Sequence, residues 1–152
     1  MSDPQQHEGS EHAKPSGLVR CVIVTPESTI LDTLARSVSL PLFDGQRGVA
    51  RGHAPFIGRL GAGEMRIVGE QGMADNAVRR IFVEGGFVEA GHDTVTVITH
   101  RAFPANGINI PQAREELERL RTSRATGDEA IAAKMHAEEV ARAMLRAAEH
   151  TH

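Results

Sequence analysis

Gly52-His53-Ala54-Pro55-Phe56-Ile57-Gly58-Arg59-Leu60-Gly61-Ala62-Gly63-Glu64-Met65-Arg66-Ile67 is the stretch from which the fold is read. Gly52 permits backbone angles that other residues avoid. Pro55 fixes its own φ and pushes Ala54 into an extended conformation. The chain therefore turns and enters a short apolar strand at Phe56 and Ile57. Gly61 and Gly63 read as the brackets of a reversal, with another strand beyond them. His53 is expected on the exposed shoulder of the first turn, where a side chain can meet a partner.

The same punctuation continues on both sides. β-type runs fall at residues 18–24, 28–31, 34–40, 48–49, 56–60, 64–68, 78–83, 87–90 and 94–99. Between them stand Pro26, Asp44-Gly45, Gly52, Gly61 to Gly63, Asp75-Asn76, Gly85-Gly86 and Gly91-His92-Asp93. Many short strands with Gly and Asp turns predict an all-β sandwich of about ten antiparallel strands. Arg80-Ile81-Phe82-Val83-Glu84 and Thr94-Val95-Thr96-Val97 alternate, which gives each strand one buried and one wet face.

The character changes near Pro104. Phe103-Pro104-Ala105-Asn106-Gly107 reads as a linker, and Pro111 suits the first turn of a helix. Residues 112–124 place Ala113, Leu117 and Leu120 at helical spacing, with glutamates early and arginines late, which complements the helix dipole. Thr126-Gly127-Asp128-Glu129 has the form of a capping box with Thr126 as N-cap. A second helix is predicted over 128–148, and the short connection implies an antiparallel α-helical hairpin. Its apolar stripe, Ala133, Ala137, Val140, Ala141, Met144 and Ala148, is narrow and small, so weak docking and an ability to relocate are expected. The organisation is a polar tail over 1–17, a sandwich over 18–103 and a hairpin over 104–152.

Composition narrows the function. The 152 residues are 40% hydrophobic and 24% charged, as in a globular chain. Aromatics make up 3%, without Trp or Tyr, and net charge is −3 without a basic block. Neither stacking on single-stranded nucleic acid nor a phosphate-backbone partner is expected. Lone Cys21, within an apolar strand, reads as a core residue in a reducing compartment. No run of 18 apolar residues occurs, and the acidic N-terminus lacks the form of a signal peptide, so a cytoplasmic chain without direct membrane insertion is expected.

No catalytic set assembles. The eight His residues include no His-Glu-x-x-His, and His92 and His100 lack neighbours to complete a metal site; His7 and His12 read as part of a solvated tail. There is no Gly-x-Ser-x-Gly elbow and no Gly-Lys-Ser/Thr phosphate loop. Glu84 and Glu89 flank Gly85-Gly86 and read as solvent-facing strand ends. Neither catalytic nor metal-ligating residues are assigned. Arg142 and Arg146, four apart on one helix face, together with Arg114 on the other helix, could form a phosphate grip or simply pair with Glu138 and Glu139.

Gly-His-Ala-Pro at 52–55, an apolar pair and then Met65-Arg66-Ile67 resemble the epsilon subunit of bacterial F-type ATP synthases. Gly45-Gln46-Arg47-Gly48-Val49 stands where that family usually has Gly-Glu-Leu-Gly-Ile, and Phe82-Val83-Glu84-Gly85-Gly86-Phe87-Val88-Glu89 and Thr94-Val95-Thr96-Val97 resemble its later strands. These matches run in order across roughly residues 18 to 148. The resemblance implies a non-catalytic piece of the central stalk, peripheral on the cytoplasmic face of the inner membrane, linking the gamma subunit to the c-ring. It implies contact through Gln46, Arg47, His53, Ala54 and Pro55, with Gln46 and Arg47 replacing the usual Glu and Leu, so either a less basic facing loop on the ring is expected or Arg47 merely faces solvent. It also implies a regulatory hairpin able to reach the alpha/beta head and, in some members, regulatory ATP. Of the ATP motif, Arg114, Arg142 and Arg146 are retained, while Pro111 and Glu115 replace its Asp and Ala. The contrasting reading is a stand-alone β-sandwich binding module with a helical arm. The coupling ion, proton or sodium, is left open.

Overall fold

A computed structural model describes residues 17–151, so the expectations for the N-terminal tail, with His7 and His12, lie outside the described residues. Among the described residues there are eight strands: β1 (Val19–Val24), β2 (Thr29–Ala35), β3 (Ser37–Leu42), β4 (Gly45–Ala50), β5 (Phe56–Val68), β6 (Val78–Gly91), β7 (Thr94–Ile98) and β8 (Ala102–Pro104). A 3-10 turn (Ala105–Gly107) leads to helices α1 (Ile110–Thr122) and α2 (Asp128–Thr151). The strand order is β2-β1-β7-β6-β5-β3-β4, with β8 added against β6.

Three expectations are corrected here. The reversal at Gly61 and Gly63 does not occur: β5 runs straight through it, and β6 likewise runs through Gly85-Gly86. Ten short strands thus become eight, two of them long. Not every pairing is antiparallel, because β1 and β7 pair in parallel, Cys21 opposite Val95. Strands far apart in sequence have the connecting chain that a parallel pair requires. Phe103 and Pro104, read as linker, form β8 against Phe82 and Ile81.

The glycines do something other than turn the chain. Leu60 faces the core, as do Met65 and Ile67, so the inward parity of β5 switches between 60 and 65. On β6 it switches between Val83 and Val88. Both switches fall at the glycines, where Leu60 lies opposite Gly86 and Ala62 opposite Glu84. The long β5–β6 ladder bends there and serves both layers of the sandwich. Gly86 has φ +117, and a Cβ on it would overlap the Ile98 carbonyl of β7. The core between the layers collects Val19, Cys21, Ile23, Leu40, Met65 and Val97 with their neighbours.

A second core joins sandwich and hairpin. Phe82, on the opposite face from Ile81 and Val83, packs with Ala105, Ile108, Ala143, Ala147 and Ala148. Its ring lies 5.3 Å from that of Phe103. The expected stripe is shifted as a result: Ala141 and Ala148 are buried as read, Ala133 is exposed, and Ala143 and Ala147 carry the contact instead. The caps differ too. Asn109 caps α1 by accepting from the Gln112 N–H at 3.0 Å, with Pro111 in the first turn. The first bond of α2 runs from the Ile131 N–H to the Gly127 carbonyl, which places its cap at Gly127 rather than Thr126.

Candidate functional site

Gly52 to Pro55 link β4, an edge strand, to β5. The Gly52 N–H donates to Asp93 Oδ1 at 2.8 Å, and the His53 N–H donates to the Ala50 carbonyl at 3.1 Å, so the turn is tied to the β6–β7 hairpin and to itself. Phe56 organises what the edge presents. The Arg47 guanidinium lies 4.4 Å above its ring, and His53 meets it edge-on with ring centroids 5.3 Å apart. His53 Nδ1 is 2.8 Å from the Ala54 carbonyl oxygen. Gln46 accepts from the Ser39 hydroxyl at 2.9 Å. Gln46, Arg47, Ala54 and Pro55 are exposed, whereas His53 is half-buried against Phe56 rather than standing free on the shoulder. The five residues predicted for the edge thus lie on one β4–β5 margin of the sheet.

Next to that margin is a surface that sequence reading missed. Ile57 is 81% exposed, Phe43 71%, Phe87 58% and Ile98 53%. Register puts them together: Phe87 lies opposite both Arg59 and Ile98, and Ile57 lies opposite Glu89. The Phe43 N–H donates to the Arg59 carbonyl at 2.8 Å, and the Arg59 guanidinium sits 5.1 Å from the Phe43 ring. The outer face therefore carries an apolar patch across β5, β6 and β7, bordered by the Gln46–Pro55 margin. Grouped exposed apolar residues of this kind mark an interaction surface.

The arginines of the hairpin are exposed and differently engaged. Arg142 donates to Glu138 Oε2 at 3.2 Å, the solvated helix pair that the sequence also allowed. Arg146 borders a crevice of about 270 Å³ between α2 and the sheet, with Gln46, Glu64 and Arg66. A larger crevice of about 500 Å³, between both helices and β6–β8, is lined by Glu84, Arg101, Phe103, Gln112, His136 and Met144 among others, and by none of Arg114, Arg142 and Arg146. Neither crevice gathers the three arginines.

Nothing in the described residues assembles chemistry. No three His, Cys, Asp or Glu side chains converge among them. Cys21 is fully buried, and that burial, with the nearby charges of Glu70 and Asp32, pushes its thiol up to about 12, so it is a protonated core group at neutral pH. The buried Glu70 accepts from Arg79 at 2.6 Å and from the Thr33 hydroxyl at 3.0 Å. No described helix is long and apolar enough to cross a membrane.

A folded-over β-sheet with a docked helical hairpin, an exposed apolar face and a polar margin is the architecture of the described residues. The family model for the ATP synthase delta/epsilon chain β-sandwich domain matches residues 18–105. The chain belongs to the ATP synthase delta/epsilon chain family. An ATP synthase epsilon chain of Rhodopirellula baltica is 46% identical over 99 residues, covering 65% of this chain and 73% of that one. Another, from Granulibacter bethesdensis, is 34% identical over 132 residues, covering 84% of this chain and 95% of its own. A cryo-EM structure of the Euglena gracilis mitochondrial ATP synthase OSCP/F1/c-ring contains a chain of the same fold, with TM-score 0.73 and 18% identity, covering 90% of this chain and 84% of that one.

Proposed function

We propose that this chain is the non-catalytic epsilon subunit of a bacterial F-type ATP synthase, peripheral on the cytoplasmic face of the inner membrane. Its sandwich links the gamma subunit to the c-ring, and its hairpin can engage the alpha/beta head to regulate hydrolysis. The observation that carries this reading is the apolar patch of Phe43, Ile57, Phe87 and Ile98 beside the polar margin. A permanent protein partner suits the patch, and gamma takes it. The margin of Gln46, Arg47, His53, Ala54 and Pro55 faces the polar loops of the ring. A packed β body suits torque transfer because close-packed interiors transmit strain. Co-purification of the full chain with the gamma subunit encoded in the same genome tests the assignment. Failure to form a complex, or turnover of a substrate by the chain alone, overturns it. Removing residues 106–152 tests regulation: hydrolysis by the assembled complex should rise, and an unchanged rate rules out an inhibitory hairpin.

Regulatory ATP is a second reading, favoured by Arg146, which is exposed at the mouth of a crevice. Phosphate binding by Arg114, Arg142 and Arg146 requires Arg142 to leave Glu138. Calorimetric titration of millimolar ATP, with Arg142→Ala as control, decides it, and an absence of heat removes the nucleotide.

A further inference from the structure

Among the described residues, Glu64 is a sheet carboxylate placed beneath the docked helix with one oxygen left without a partner. It lies opposite Phe82 in the β5–β6 ladder, on the face covered by α2. Only 7% of it is exposed. Its Oε1 accepts from Arg80 at 2.6 Å and from Arg66 at 3.0 Å. Its Oε2 is buried and has no hydrogen-bond partner. A buried carboxylate oxygen left without a donor is costly, so this position calls for one more N–H.

A cation stands on the helix above, at the same crevice. Ala143, Arg146, Ala147 and His150 recur at i, i+3, i+4 and i+7, one face of α2, and all four line the crevice that Glu64 lines from below. The two alanines let the helix approach closely, and Arg146 is the long cation between them. Among the described residues Arg146 has no ion-pair partner, whereas its neighbour Arg142 is held by Glu138. We propose that Glu64 and Arg146 form a charged latch: the Arg146 guanidinium reaches into the crevice, donates to Glu64 Oε2 and holds α2 on the sandwich. On α2 the fully buried members of the docking cluster are the alanines Ala143, Ala147 and Ala148, so one charge-assisted bond adds appreciably to what that helix contributes. Release of the hairpin then requires breaking a specific ion pair, and any phosphate that recruits Arg146 competes with Glu64.

The latch is tested on the full-length chain alone, whatever its partners. Backbone amide exchange at residues 140–148 reports undocking, and exchange at Val95 and Val97 reports global unfolding. Arg146→Gln should speed exchange at 140–148 by about tenfold, the scale of one charge-assisted bond, with Val95 and Val97 unchanged. Glu64→Met removes the buried charge while keeping the packing, and in that background Arg146→Gln should change nothing. The decisive quantity is this non-additivity. Equal acceleration by Arg146→Gln in both backgrounds, or no acceleration in either, overturns the latch. Docking that tightens in Glu64→Met does not rescue an additive result, because a buried charge is often outperformed by an apolar replacement.

Discussion

If gamma takes the outer face as proposed, Ile57→Asp should abolish that binding while leaving the chain folded. Ile57 is 81% exposed, so its side chain does almost nothing for the isolated fold, and a change there should alter stability by less than about 0.5 kcal/mol. The same exposure leaves nearly all of its surface available to a partner. Burying an isoleucine side chain contributes about 1.5–3 kcal/mol. At about 1.4 kcal/mol per factor of ten, Ile57→Ala should weaken the complex roughly ten- to hundred-fold. Ile57→Asp adds the cost of confining a carboxylate against apolar surface and should take binding below detection. Ile67, on the same strand but with no exposed surface, is the opposite case. Ile67→Ala should cost about 2–5 kcal/mol of folding stability. Thermal melts of the free chain, paired with calorimetric titration against purified gamma, separate the two effects. Wild-type affinity in Ile57→Asp, or a melting temperature lowered as far as in Ile67→Ala, would refute the assignment of the outer face.

Other perturbations follow from single contacts. Gly86→Ala should destabilise the sandwich by at least about 2 kcal/mol, because φ +117 and the Ile98 carbonyl both exclude a side chain, and chemical denaturation would reveal it. Asn109→Ala should cost about 1 kcal/mol of α1 stability through loss of the bond to the Gln112 N–H, read as faster exchange in α1 alone. Cys21 makes stability fall at alkaline pH: the unfolded thiol ionises near 9.0, the folded one only at about 12, so the unfolded state sheds its proton first. Stability from this group is intact below pH 9.0 and lost as pH rises toward 12, by about 1.4 kcal/mol at pH 10, a slope absent in Cys21→Val.

The sandwich was legible because its strands alternate and its turns are marked by Gly and Asp, as at Thr94 to Val97 and at His92-Asp93, both with positive φ. Gly61, Gly63, Gly85 and Gly86 misled because a glycine that admits a neighbouring backbone looks the same in sequence as one that turns the chain. Gly63 lies under Pro41, and Gly86 under Ile98. Only the pairing of β5 with β6 tells these roles apart. The Gln46–Pro55 margin could be read from its turn chemistry, but the apolar patch was overlooked although its signal was present. Phe56-Ile57, Phe87-Val88 and Val97-Ile98 are consecutive apolar pairs, and in a strand such a pair places apolar side chains on both faces. The burial of Glu64 was not legible, since its neighbours Gly63 and Met65 say nothing of a helix returning from residue 143 onward.

The parallel pairing of β1 with β7 also dictates an order of events at the ribosome. Among the described residues the earliest strand, β1, must wait for Ile98, the residue opposite Val24, before its inner edge is occupied. At synthesis speeds of about 5–20 residues per second, that interval lasts roughly four to fifteen seconds. During it β2 is the one native neighbour of Val19 to Val24 already made, and the edge that β7 will take is unfilled. The helices follow in the chain the strands whose face they cover.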